Sequence, residues 1–444
     1  MKKVRLGQCV FKLGIGAVVA TLALTSCAAD KSSDSPGSAS AAGAESLTKN
    51  CPDNGTQGIT DTTIKLGVSQ PLSGPYVAVG GGYVVGMQAY ANYVNSLGGI
   101  QGPDGKKRKV EIIAKDDQYV ATKTKSNVTE LLDNDKVFGL LGLFGTSGNI
   151  AARPVLAHEC APSFFPTTGA PELGNPDYPW GYPAGSVSYL LEARASALYL
   201  KSVDPAAKVA ILEQNDDLGR AYIQGFKEGI KGSGITITKI ETFESTDPDV
   251  ANQITSLAAS GANTFYNVAI GLTALQALNH VQEANWKPLI IQTAQVGLSL
   301  LKNLQPGAGD GLIMATTQIN PDQPENADNP AVKMFLEWYK KTSGSEKIAP
   351  SLAAGGWSAM QLFAWTLQHA KTMTRAGVLE SAHNLNVTED TLFLAGIKLQ
   401  TGPGDSYLVE GVQQQKFDRA AVKLVPAGPV RDYKGQVKYE KITG

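Results

Sequence analysis

Residues 136–159 read KVFGLLGLFGTSGNIAARPVLAHE. The stretch 136–144 is an almost unbroken apolar run, as expected of a strand buried on both faces of a sheet. The stretch 149–159 repeats apolar residues at helical spacing. Between them lie Gly145, Thr146, Ser147 and Gly148, all small, two of them bearing hydroxyls. A buried strand that passes through a tight turn into a helix is half of a βαβ unit, because a parallel neighbour is reached only by a crossover. The first amides of such a helix have no partners within it and lie at the positive end of its dipole. Two readings of the turn follow. Either Thr146 or Ser147 caps the helix, or the turn holds an anion against bare backbone and hydroxyls at the carboxyl end of the strand.

The same alternation extends in both directions. Upstream, 63–70 and 109–118 read as strands, and 78–99 and 121–135 as helices, the first closed by Gly98 and Gly99. Downstream comes a strand at 161–168. After Pro183 a second set begins: helices at 186–203, 218–234, 249–260 and 273–286 alternate with strands at 208–216, 235–243, 263–270 and 287–293. No sequence repeat links the two sets; what recurs is the order of elements. The fold class is therefore α/β, with two doubly wound parallel sheets. Beyond 310–320, helical patterns occupy 329–344, with Pro330 in the first turn, and 351–373. No third strand-rich domain follows, so these helices are expected to pack back on the first sheet. The tail from Lys416 reads as short strands or a hairpin.

The 444 residues suffice for two or three domains, and 39 basic against 40 acidic side chains leave no basic face for nucleic acid. The N-terminus is basic, and the apolar run at 13–25 is shorter than the ~20 residues a bilayer span takes. It ends in LTSC at 24–27, which resembles a bacterial lipoprotein signal. Residues 1–26 would be removed and Cys27 lipidated, anchoring the chain outside the cytoplasm. That loss takes four basic residues and no acid, leaving 35 against 40, about −5. Residues 27–59 then form a flexible tether, rich in Ser, Ala and Gly over most of its length. With Cys9 removed and Cys27 used by lipid, Cys51 and Cys160 remain in an exported chain and are expected to pair. No Gly-x-Ser-x-Gly elbow, His-Glu-x-x-His or Walker loop occurs. His158, His280, His369 and His383 lack ligand spacing. Neither catalysis, nor a cofactor, nor a metal is expected. The glycines of VGGGYVVG, 79–86, read as room for a ligand and for helix entry, and Asp116 and Asp117 as a solvated strand end.

At this point a family resemblance is legible. ITDTTIKLGVSQPLSGPYVAVG (59–80), NSLGGIQG (95–102), KVEIIAKDD (109–117), PSFFPTTGAPEL (162–173) and KVAILEQNDDLGRAYIQGFKEG (208–229) stand in this order. The order resembles the leucine/isoleucine/valine-binding proteins, type I substrate-binding proteins of ATP-driven (ABC) importers. The likeness runs from Thr60 to about Thr372. It implies two lobes joined by three crossovers, a ligand in the cleft, hinge closure, and docking of a monomer on ABC permease subunits. Lobe I would take 60–181 and 318–393, and lobe II 182–317 and 394–444. The crossings would fall near 180–185, 314–319 and within 391–400. The same fold also serves sensors, so a ligand-reading receptor for a separate signalling partner is the alternative in another class.

The resemblance also assigns a site. The family holds an α-carboxylate through a hydroxyl that aligns with Thr146, beside Ser147, and its next contacts fall on Thr167, Thr168 and Gly169. Gly169 stands where a threonine is frequent. On the second lobe the family's ammonium-pairing acid falls at Thr293-Ala294-Gln295, which has none. Leu218 replaces a tyrosine, Ile270-Gly271 stands where another is expected, and Val79 replaces a bulky aromatic. An unpaired ammonium in a closed cleft is costly. The expected ligand is therefore a carboxylate with an apolar body, an aromatic, aliphatic or alicyclic acid. Asp216 or Asp217 keeps an amino acid open as the alternative. Tyr76, Tyr119 and Trp357 are expected walls.

Overall fold

The computed structural model describes residues 51–439 apart from 52–54, 176–177, 182–184 and 403. The expected signal, Cys27 and most of the tether lie outside the described residues. The first sheet holds β1 (Thr63–Gln70), β2 (Ile100–Gln101), β3 (Lys107–Asp116), β4 (Gly139–Leu141) and β5 (Ser163–Phe164), in the order β2-β3-β1-β4-β5. All pairs are parallel except β2 with β3. The crossovers are α1 (Val77–Ser96), α2 (Ala121–Asp133) and α3 (Thr146–His158). The apolar run at 136–144 yields only three strand residues for a backbone reason. Lys136 (φ 55°) and Gly142 (φ 61°) leave the extended region on either side of β4.

The second sheet continues the pattern with β6 (Lys208–Gln214), β7 (Thr236–Phe243), β8 (Thr264–Val268), β9 (Leu289–Gln292) and β10 (Ile313–Thr316), all parallel. Its helices are α4 (Tyr189–Val203), α5 (Asp217–Gly229), α6 (Ala251–Ala258), α7 (Gly271–Glu283) and the short α8 (Leu298–Leu301). Along β6, Val209 and Ile211 enter the core built with α4 and α5, whereas Ala210 and Leu212 enter the core built with α6 and α7. A sheet buried on both faces gives β6 its unbroken apolar run. Each fully buried Val, Leu or Ile contributes roughly 1.5–3 kcal/mol.

The chain then returns to the first lobe. Helices α9 (Pro330–Lys340) and α10 (Pro350–Gln368) pack on α1. A Cβ on Gly86 would lie 1.8 Å from Ala353 O, and one on Gly356 1.9 Å from Tyr83 O. The glycines on this face of α1 therefore admit α10, not a ligand, which corrects the sequence reading. Helix α11 (Arg375–Ala382) follows, then β11 (Asn386–Val387) and its partner β12 (Leu399–Gln400). Segments 317–319 and 392–394 run antiparallel, with Ile319 N donating to Leu392 O and Leu394 N to Thr317 O. The tail forms β13 (Gly411–Asp418), antiparallel to β10, with β14 (Lys423–Pro426) and β15 (Arg431–Asp432) beside it. The second sheet regains the chain only at Gly411, later than the 394 expected; Tyr407 still donates to Pro171 O. The Cys51–Cys160 disulfide is present, with Cα atoms 5.9 Å apart, and ties the segment before β1 to the end of α3.

Candidate functional site

The loops after the parallel strands of both sheets enclose one cavity, of about 150 Å³ open to the centres of water molecules. Ligands of open α/β sheets lie at these carboxyl ends. Tyr76 and Val79 follow β1, Tyr119 follows β3, Gly145 follows β4 and Thr167 follows β5. From the other side, Leu218 follows β6, Ile270 and Gly271 follow β8, and Ala294, Gln295 and Gly297 follow β9. Tyr189 opens α4, and Ser351, Leu352 and Gly355 come from α10. An adjoining cavity of about 120 Å³ shares Tyr83, Thr167, Ala294, Gln295, Gln318 and Gly355 with the first, so the two form one cleft. Among the described residues, neither lining contains Asp, Glu, Lys, Arg or His.

Seven of the expected residues line this space: Tyr76, Val79, Tyr119, Thr167, Leu218, Gly271 and Gln295. The other five do not. Thr146 and Thr168 are each 1 % exposed, and their hydroxyls meet at 2.8 Å. Gly169 O accepts from Tyr189 N at 2.8 Å, and the Tyr189 phenol has the Thr168 hydroxyl and the Gly169 amide as hydrogen-bonding neighbours. The donors of that loop thus face a tyrosine of the second lobe. Ser147 borders a separate cavity, where its Oγ lies 3.5 Å from Asp217 Oδ2. Neither hydroxyl residue caps α3: the N-cap is Gly145, and no side chain closes the first turn. Trp357 is a correction. It is buried against Tyr90 (4.8 Å between ring centroids) and Phe335 (5.4 Å), because α10 turns it into the layer shared with α1 and α9.

The acids near the cleft are engaged. Asp216 caps α5, accepting from Gly219 N at 3.1 Å and from Gln214 Nε2 at 2.5 Å, and burial raises its pKa. Asp217 pairs with Arg220 at 2.5 Å. Beneath the β9 loop, Glu192 accepts from Ala294 N at 2.8 Å and from the Tyr222 hydroxyl at 2.7 Å. Burial pushes Glu192 up to about 7. Asp117 is buried rather than solvated, accepting from Ser69 Oγ at 2.8 Å and Tyr119 N at 2.9 Å. Burial pushes Tyr83 and Tyr189 up to about 12, and raises Tyr76 and Tyr119 with a smaller push from Asp216. All four phenols are therefore neutral hydrogen-bonding groups at ordinary pH. The Tyr76 hydroxyl is buried with no partner among the described residues. The cleft can thus surround an apolar body with aromatic rings and offer hydroxyls and amides to a polar head.

Some contributors were missing from the sequence reading. Tyr83 lies one turn beyond Val79 on α1, so helical spacing places both on one face. Tyr189, Glu192 and the α10 residues carried no such signal, because only folding brings them to the cleft.

A protein-family model described as "Periplasmic binding protein" matches residues 63–414. The "Leu/Ile/Val-binding protein homolog 7" of Brucella suis is 22% identical over 293 residues, covering 63% of this chain and 71% of that protein. Solved structures share the architecture. The fatty acid ABC transporter substrate-binding protein from Thermomonospora curvata superposes with a TM-score of 0.73 at 20% identity, over 85% of this chain and 94% of that one. A branched chain amino acid ABC transporter protein from Thermus thermophilus with bound valine gives 0.74 at 17% identity, over 85% and 98%.

Proposed function

Because the chain belongs to the periplasmic binding protein family and is similar within it to leucine/isoleucine/valine-binding proteins, we propose that it is the extracytoplasmic substrate-binding component of an ABC importer. Its ligand is a small carboxylate with an aromatic, aliphatic or alicyclic body, delivered to membrane permease subunits by a monomer held on the membrane through lipid on Cys27. One observation carries the ligand reading: among the described residues the cleft is lined by tyrosines, hydroxyls, amides and apolar side chains, and by no charged group. An ammonium buried there would have no carboxylate against it, which is costly. A carboxylate can instead be held by neutral donors; hydrogen bonds to a charged group are worth roughly 1.5–3 kcal/mol each. That the Thermomonospora relative handles fatty acids supports an acid with an apolar tail.

Thermal unfolding with a panel of carboxylic acids, their amides and amino acids tests this. A ligand that binds the native state raises the melting point by mass action, about 2.7 kcal/mol at a hundredfold excess over Kd. Acids are expected to raise it and amides to do so less. A larger shift with valine or leucine than with any simple acid would overturn the ligand class and favour the amino-acid reading that the Thermus relative represents.

A further inference from the structure

Beside the main cavity lies a second one of the same size, about 150 Å³, lined by Thr124, Ser147, Asn215, Asp216, Glu244 and Ser245 among others. Tyr119 and Phe144 belong to both linings, so the Tyr119 ring stands in the wall between them. That ring is unusually well held. Its centroid lies 4.5 Å from that of Tyr76 and 5.6 Å from that of Phe144. It lies over Gly145, where a Cβ would sit 2.6 Å from Tyr119 Cε2; any other residue at 145 would displace it. The backbone that presents it is left-handed at both Gln118 (φ 55°) and Tyr119 (φ 63°). That conformation is sparsely populated for such residues and persists where neighbours enforce it. Two carboxylates do so here. Asp116 Oδ1 accepts from Gln118 N at 3.0 Å and from Leu72 N at 2.9 Å, and Asp117 Oδ1 accepts from Tyr119 N at 2.9 Å. Among the described residues the hydroxyl has only a long contact with the lobe II residue Gln214, 3.4 Å to its Nε2.

The two compartments differ in character. The main one is uncharged, whereas the annex contains the carboxylates of Asp216 and Glu244. Glu244 accepts from Asn215 Nδ2 at 2.5 Å. An anionic head is therefore excluded from the annex, and a hydrogen-bond-donating end, a hydroxyl or an ammonium, is welcome there.

We infer that Tyr119 determines ligand length: its ring is a fixed partition that confines the ligand to the uncharged cavity and denies a longer molecule the acid-lined annex beyond. The assignment rests on the proposed acid-binding cleft. The test is calorimetric titration of the full chain with straight-chain acids from acetate to octanoate, the matching primary alcohols, and the acids carrying a terminal amine. Wild type, Tyr119→Ala, Tyr119→Leu and the double variant Tyr119→Ala with Asp216→Asn are compared, each checked for cooperative unfolding. Wild-type affinity should peak and then fall with chain length. In Tyr119→Ala the peak should move to longer chains, with a gain of roughly tenfold or more for acids beyond the wild-type limit, the scale of one or two methylenes in an apolar pocket. The amine-terminated acids should gain most, and Asp216→Asn should remove that extra gain while leaving the gain of the plain acids. Tyr119→Leu should shift the peak in the same direction by less. The same length limit in wild type and both Tyr119 variants, whatever the overall loss of affinity, overturns the partition. A limit that moves with the alcohols while no acid binds upholds the partition and sinks the carboxylate reading; no length limit in any wild-type series overturns the partition and leaves the carboxylate reading to the comparison of acids with alcohols.

Discussion

Glu192 is 1 % exposed, and no cation pairs with it among the described residues. Its two acceptor contacts, to Ala294 N and Tyr222, fix the β9 loop that carries Ala294 and Gln295 into the cleft. Burial holds its pKa at about 7 against 4.5 for an ordinary glutamate. The folded state therefore binds this proton more tightly than the unfolded state. The group's contribution to stability is greatest below about 4.5, declines as pH rises to about 7, and is constant above that. The total decline is on the order of 3 kcal/mol, since one pKa unit is about 1.4 kcal/mol. Glu192→Gln keeps an acceptor for Ala294 N and a partner for the Tyr222 oxygen but cannot ionise. Urea denaturation across pH 5–8 should show the variant losing this part of the decline and exceeding wild type at pH 8. Parallel pH profiles for the two would remove Glu192 as its source. At this scale the sequence was partly legible. Thr167 and Gln295, named from the family resemblance, and Tyr76, named as an aromatic wall, lie on loops that follow strands and line the cavity; Thr146 and Thr168 were assigned to the ligand, yet their hydroxyls face one another.

Helices α1 and α10 meet closely enough that their glycines are in backbone contact across the interface. Gly86→Ala forces its Cβ against Ala353 O, so it should cost about 1–3 kcal/mol or more through overpacking. Gly81, on the same helix, has its nearest neighbour at 3.7 Å, Ile348 Cδ1. Gly81→Ala should be neutral or stabilising by up to about 1 kcal/mol, the difference in helix propensity. Denaturant midpoints for the pair separate the two effects; equal outcomes would mean that the α1–α10 contact does not depend on the glycines. Element positions along the chain were readable from hydrophobic period. Strand β1 falls at Thr63–Gln70, as read. What period could not reveal was that the glycine run serves a helix that lies far along the chain, since period describes one element and says nothing of its neighbour.

Among the described residues the molecule is tied at one covalent point. The Cys51–Cys160 bridge closes a loop with a sequence separation of 109 residues across the first lobe. Replacing both cysteines by alanine should lower stability by about 2–5 kcal/mol, the usual range for a native disulfide. The drop in melting temperature measures it, and the unfolding of the reduced wild type should match that of the variant. An unchanged melting temperature would mean that native packing alone constrains the N-terminal segment.

The order of apolar runs and helical stretches by itself determined that this chain is α/β with two parallel sheets, since parallel strands need crossovers and doubly buried strands need unbroken apolar runs. The common cleft came from the family resemblance rather than from that order, and the expected lipoprotein signal singled out Cys51 and Cys160, which are bonded. Tertiary structure alone decided that Thr146 and Thr168 bond to each other, that Trp357 belongs to the α1–α10 layer, and that Tyr119 stands between two cavities. These outcomes depend on side chains brought together from separate elements of the chain. Sequence periodicity records the spacing of residues within an element; it does not record which element will stand opposite.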